Sequence, residues 1–334
     1  MGGAYLFIVL RALSGALSAG SIVLFAAAVY RFSESLKTLS KSANEIRMNA
    51  RRMESTFEYL ALPDQMESGG VSMRPEDGCG AVEFQDVSYT YPGAAAPALS
   101  HVSFRLEPGK KIAVVGMNGS GKTTMVKLLC RLYDPDGGQV LLNGRNVREY
   151  DYEEYLRRFS VVFQDFQLLA LPLGENVACG KDYDAARVQD CLEKAGFGKR
   201  LQRMKDGLST FLYRNMDQEG VEISGGEAQK IALARALYKD APIVVLDEPT
   251  AALDPVSEHE VYSGFRNLVG GRTAIFISHR LSSCRFCDEI LVFHQGELVQ
   301  RGSHEELVKE EGGLYASMWR AQAQYYEKDG VAVG

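Results

Sequence analysis

The stretch GMNGSGKT, residues 116–123, decides the fold of this 334-residue chain. It fits G-x-x-x-x-G-K-[ST], a pattern whose glycines let backbone N–H groups converge on phosphate oxygens. Lys122 adds positive charge, and the Thr123 hydroxyl is suited to Mg²⁺. The pattern gains meaning from its flanks. IAVV (112–115) has strand composition and TTMVKLLCRL (123–132) has helix composition, so the loop joins a strand to a helix start.

Working outward, the runs KIAVVG, SVVFQ, APIVVLD, RTAIFIS and EILVFH alternate with helix-like segments from about Gly80 onwards. Uninterrupted apolar runs suit strands buried on both faces of a parallel sheet, which predicts an α/β domain with helices on both sides. VEFQDVSYTY and ALSHVSFRL have strand composition with turn-rich boundaries and predict antiparallel elements at the start of that domain. IVVLDE sets Asp247 and Glu248 at the carboxyl end of a buried strand, where ligands of such sheets bind. Asp247 is then placed to hold Mg²⁺ through water, and Glu248 to polarise a hydrolytic water. ISGGEAQKIALARAL, residues 223–237, opens a second helix with a serine cap and two glycines, which is a second anion-binding start. A chain carrying two such half-sites for one nucleotide invites a symmetric dimer in which each copy completes the other's pocket.

The front of the chain reads differently. SAGSIVLFAAAVYRF (18–32) lies in a stretch free of charge from Gly15 to Tyr30, and Leu13 to Phe32 reaches the length of about 20 residues that spans a bilayer as helix. Arg11 precedes it, whereas Arg31, Lys37, Lys41, Arg47, Arg51 and Arg52 follow, which puts the following segment in the cytoplasm. A cleaved secretory signal would send the nucleotide loop away from ATP. Phe32, Leu36, Leu39, Ala43, Ile46, Ala50, Met53, Phe57 and Leu60 then recur in steps of four and three, a heptad stripe on one long helix. Pro63 ends it, and LPDQMESGGVSMRPEDGCG reads as a linker.

With these motifs in place the chain resembles the ATP-binding cassette (ABC) ATPases, and within them the nucleotide-binding domain of exporter-type half-transporters. The resemblance covers about residues 81–326. GMNGSGKTT resembles the Walker A loop, VVFQDF the Q-loop with Gln164, ISGGE the signature and IVVLDE the Walker B. AALD resembles the D-loop ending in Asp254, and ISHR the switch carrying His279. The resemblance implies a P-loop NTPase fold: a mixed sheet core, an antiparallel β subdomain and a helical subdomain, preceded by a long transmembrane-to-cytoplasmic helix. The expected division is 1–62 for the membrane helix and its extension, 63–80 for the linker, 81–326 for the ATPase domain and 327–334 for a tail.

It also implies roles. Tyr91 would stack on adenine, and Gly116, Asn118, Gly119, Ser120, Gly121, Lys122, Thr123, Thr124 and Gln164 would bind the nucleotide. Thr123, Gln164 and Asp247 would hold Mg²⁺, Glu248 would be the catalytic base and His279 a contact to the γ-phosphate. Ser224, Gly225, Gly226 and Glu227 would act in trans on ATP held by a second, identical or related ABC subunit in a head-to-tail dimer. The implied setting is the cell membrane and its lipid bilayer, with the ATPase on the cytoplasmic side and further membrane helices as partners. Residues 13–62 look like the last membrane helix of a half-transporter and AYLFIVL (4–10) like the tail of the one before. One helix cannot enclose a pathway, so the expectation is either part of a longer or split transporter, or an anchored ATPase without transport of its own.

Two departures from the commonest motifs stand out: Ile223 and Glu227 replace Leu and Gln in the signature, and Ala251 replaces Ser in the D-loop. Glu227 puts a carboxylate where a γ-phosphate is expected. The net charge of −6 gives no general attraction to nucleic acid, which argues against an ABC ATPase acting on ribosomes or DNA. Six scattered cysteines in a chain with ample core need no disulfide framework. Cys284-x-x-Cys287 lacks the second pair or histidines of a metal site and reads as packing.

Overall fold

The computed structural model describes residues 2–63, 66, 68–73, 80–248 and 269–328. The chain forms two compact units, residues 1–65 and 66–334.

The first unit is helical. Helix α1 spans Gly2–Leu13 and α2 spans Ala19–Leu60. The expected single membrane-length helix over Leu13–Phe32 is corrected by the break between them. Gly15 takes φ 71°, and Ser18 caps α2 by accepting a hydrogen bond from the Ser21 N–H. Glycine in the left-handed region ends one helix cheaply and a serine cap starts the next, so local chemistry overrides the apolar run. The uncharged part of α2, Ala19 to Tyr30, would rise only about 18 Å, short of the roughly 30 Å hydrocarbon core. Among the described residues no helix is long and apolar enough to cross a membrane. The heptad stripe does fall on one helix, and Phe32, Leu39, Ile46, Phe57 and Leu60 are all exposed on it.

The second unit carries two sheets. One is four-stranded and antiparallel in the order β2-β1-β4-β5, built from β1 (Val82–Tyr89), β2 (Leu99–Leu106), β4 (Gly137–Leu142) and β5 (Arg145–Asn146). The other is six-stranded, β10-β9-β3-β8-β7-β6. Its strands β3 (Lys111–Gly116), β6 (Phe159–Val162), β7 (Ile243–Asp247), β8 (Thr273–Ile277) and β9 (Glu289–His294) run parallel, and β10 (Glu297–Gly302) closes the edge antiparallel to β9. Every residue of β7 and β8 is buried, as strands covered on both faces require. The mixed sheet and antiparallel layer match the expected architecture.

Two of the three hydrophobic clusters among the described residues account for this layering around the site. On one face, Phe84, Val102 and Leu106 of the antiparallel layer pack with Ile112, Val114, Met125 and Leu129 around helix α3 (Lys122–Leu129). On the other, Val244, Leu246 and Phe276 pack with a helical layer made of α5 (Leu173–Ala178), α6 (Ala185–Lys194), α7 (Gly198–Leu201) and α8 (Gly225–Lys239). The short helix α4 (Tyr152–Leu156) feeds the edge strand β6. With the sheet held from both sides, the carboxyl ends of β3, β7 and β8 are fixed relative to one another, and the site is built there.

Candidate nucleotide site

The loop between β3 and α3 is shaped by three glycines that no other residue would replace without strain. Gly116, Gly119 and Gly121 have φ of 154°, 76° and 101°. A Cβ on Gly116 would fall 2.3 Å from the Phe293 carbonyl oxygen, and one on Gly121 would fall 2.5 Å from Leu99. The chain therefore wraps tightly around Lys122, whose Nζ donates to the carbonyls of Gly116 (2.9 Å) and Met117 (3.0 Å). Lys122 is buried, and burial pulls its ammonium below the usual lysine range, against the opposing pull of Glu248 and Asp247.

Asp247, at the end of β7, is 1% exposed. The Thr123 hydroxyl donates to its Oδ2 at 2.9 Å, while its Oδ1 and the Ser120 hydroxyl are buried without a hydrogen-bond partner among the described residues. Burial raises the Asp247 carboxyl above the ordinary carboxylate range, with the Thr123 bond acting the other way. A buried carboxylate oxygen with nothing to satisfy it, next to a hydroxyl on a phosphate loop, fits a hard divalent cation.

Glu248 follows in the left-handed region at φ 52°, an uncommon conformation for a residue with a side chain, pinned by its N–H donating to the Ile277 carbonyl (3.0 Å). That turn aims its carboxylate at two partners. Oε1 lies 2.5 Å from His279 Nε2, and Oε2 accepts from Gln164 Nε2 at 3.0 Å. The three side chains come from three separate segments: the end of β6, the end of β7 and the end of β8.

These residues share one cavity of about 650 Å³, lined by Tyr91, Ala98, Asn118, Gly119, Ser120, Gly121, Lys122, Thr123, Thr124, Gln164, Glu248 and His279. Tyr91 is fixed by its hydroxyl against Thr124 Oγ1 (3.2 Å) and edge-on contacts to Tyr89 and Tyr133, and Lys127 Nζ lies 5.7 Å from its ring centre. Gln164 meets Glu248 here rather than the Thr123–Asp247 pair.

The ISGGE segment is not among the residues lining this cavity. Ser224 caps α8 with a full capping box: its Oγ accepts from the Glu227 N–H (3.3 Å), and Glu227 Oε2 accepts from the Ser224 N–H (3.0 Å) and hydroxyl (3.1 Å). Glu227 Oε1 lies 3.0 Å from Arg200 Nε, a charge contact rather than a directed hydrogen bond. Gly225 borders a separate groove with Gln164, Gln167, Leu168 and Tyr213. Asp254 and the rest of AALD lie outside the described residues.

Sequence reading missed two residues that touch this machinery. Gln322, on the C-terminal helix Leu314–Lys328, donates to the His279 carbonyl and accepts from the Leu281 N–H (2.9 Å), clamping the turn that carries His279. Arg200 is the second. Neither belongs to a motif, and no spacing signal singles them out. The C-x-x-C pair is packing: Cys284 is buried, and burial pushes the Cys287 thiol up to about 12, far from a reactive thiolate. The two do not form a disulfide.

A strand–loop–helix phosphate cradle beside two strand-end acids, in a sheet of parallel strands with an antiparallel layer, defines a nucleotide-binding ATPase fold. Residues 99–251 match the family profile described as "ABC transporter". The chain is 40% identical over 306 residues to an ATP-dependent lipid A-core flippase of Burkholderia orbicola, covering 91% of this chain and 50% of that protein. It is 39% identical over 319 residues to the one of Paraburkholderia xenovorans, covering 95% and 52%. A solved structure of a bacterial Atm1-family ABC exporter with ATP bound superposes with a TM-score of 0.76 at 31% identity, covering 97% of this chain and 56% of that one. Residues 99–251 thus carry an ABC transporter ATPase domain, and the chain is similar to these transporters over nearly its whole length. It spans about half the length of the curated relatives it matches.

Proposed function

We propose that this chain binds ATP in the 650 Å³ cavity and hydrolyses it to drive export across a membrane. The observation that carries the reading is the convergence of Lys122, Glu248 and His279 in one pocket from three strand ends, with Asp247 bonded to Thr123 in its lining. In this reading Tyr91 stacks on the adenine, and the loop amides with Lys122 hold the phosphates. Glu248 accepts the proton of the attacking water, with His279 keeping the carboxylate oriented and contacting the γ-phosphate. Thr123 and Asp247, joined by Gln164 once it leaves Glu248, would hold Mg²⁺. When bound, that ion neutralises charge developing on the phosphate oxygens. The strained turn at Glu248 fixes the base before substrate arrives, so little reorganisation is needed at reaction.

Replacing Glu248 with Gln tests this directly. ATP turnover should fall by about a hundredfold or more while ATP binding persists. Turnover equal to the parent's would overturn the assignment.

The relatives' names support transport, and they support an amphipathic lipid-linked substrate, since lipid A-core is the cargo named for the flippases. The proposed working unit is a head-to-tail dimer in which Ser224, Gly225, Gly226 and Glu227 of one copy, or of a related subunit, meet the ATP of the other. Support comes from the exposure of Ser224 and Gly225 and from their absence from the lining of this chain's own phosphate cavity. A membrane location, with the ATPase on the cytoplasmic side, follows from an exporter's need for cytosolic ATP.

A further inference from the structure

Glu227 poses a problem for that dimer. A carboxylate at the start of α8 would repel a polyphosphate, and it engages the hydroxyl and N–H of Ser224. The structure holds a compensating charge. Arg200 comes from α7, whose flanking Phe197 and Leu201 are buried in the same core as Ile231 of α8, so the guanidinium is delivered from a fixed backbone. Its Nε lies 3.0 Å from Glu227 Oε1, on the carboxylate oxygen that the capping box leaves over.

We propose that Arg200 is a positioning residue for the in-trans phosphate site. Its guanidinium neutralises Glu227 and holds the carboxylate folded back on the helix cap, so that the first-turn amides of Gly225 and Gly226 can receive the γ-phosphate of ATP bound by a second copy of this chain. The pairing makes a glutamate-type signature competent where the charge alone would oppose nucleotide capture. This rests on the head-to-tail reading above.

The test is a cycle of variants in the full chain carrying Glu248→Gln, which should hold ATP without turnover. ATP-driven self-association is followed by sedimentation. Arg200→Gln should raise the ATP concentration for half-maximal association about tenfold, and Glu227→Gln added to it should restore the parent value to within about twofold. Arg200→Lys, which keeps the charge, should stay within about threefold of the parent. A loss that persists in the Arg200→Gln, Glu227→Gln double variant would mean that Arg200 merely supports the fold, and it would overturn the proposal. So would an Arg200→Gln variant that associates like the parent. If the Glu248→Gln parent binds ATP yet never associates, the head-to-tail reading fails and this inference falls with it.

Discussion

The molecule contains two glycine-rich helix starts, and comparing them shows what a shared local motif leaves undecided. α3 begins after Gly121 and α8 after Ser224. Both present first-turn N–H groups and the positive end of a helix dipole, which favours an anion at either one. At α3 the surroundings finish the job: Lys122 is buried in the loop, Asp247 and Glu248 close in from β7, and Tyr91 adds an aromatic wall against Thr124. At α8 the anion is already present as Glu227's own carboxylate, with Arg200 as its counter-charge. The first start is a site within one chain. The second is a capped helix outside that cavity, and the role proposed for it requires another chain.

The sharpest way to break this contrast is Lys122→Ala. Loss of a buried cation facing phosphate should weaken ATP binding by about a hundredfold, measured by fluorescent-nucleotide titration. Near-normal affinity would mean that α8 or another element binds the nucleotide. Gln322→Ala comes next. With the clamp on the His279 carbonyl and the Leu281 N–H gone, kcat should drop roughly tenfold at little-changed KM, because the side chain moves the switch turn and does not touch ATP. Gln322→Glu keeps only the acceptor half and should fall between. A rise in KM with kcat intact would place the clamp in binding instead.

Ser224→Ala sharpens the other side of the comparison. It removes the cap of α8 and should destabilise the chain by about 1 kcal/mol in urea titration, with ATP binding at α3 untouched. The subtlest effect is a slope. Burial raises the Asp247 carboxyl, so in the nucleotide-free protein that group favours the folded state below the ordinary carboxylate range, and its contribution fades as pH rises through the raised value. Asp247→Asn removes this dependence. Its stability relative to the parent should therefore grow between about pH 4 and pH 7, followed by unfolding at each pH, while Mg²⁺-dependent hydrolysis is lost.

Much of the site was readable in sequence because its parts are local. The glycines of 116–121 dictate their own positive φ angles, and buried β-branched runs dictate parallel strands with acids at their ends. The reading failed where a local signal competed with a longer pattern: the apolar run through Leu13–Phe32 looks continuous, yet Gly15 and Ser18 stop one helix and start another. Contacts such as Gln322 with His279 and Arg200 with Glu227 were also invisible, since they join segments whose meeting depends on how helices pack.

By itself, then, the sequence determined the strands, the phosphate loop and the two helix starts, because backbone conformation and burial pattern follow from residue type at short range. Only the tertiary structure decided which of those starts is enclosed. It brought Gln164, Glu248 and His279 from three strand ends to one carboxylate and turned Glu227 back onto its own helix under Arg200. The physical reason is that hydrogen bonds and charge contacts reach only a few ångströms, and the packing of both faces of the sheet sets which side chains come within that distance.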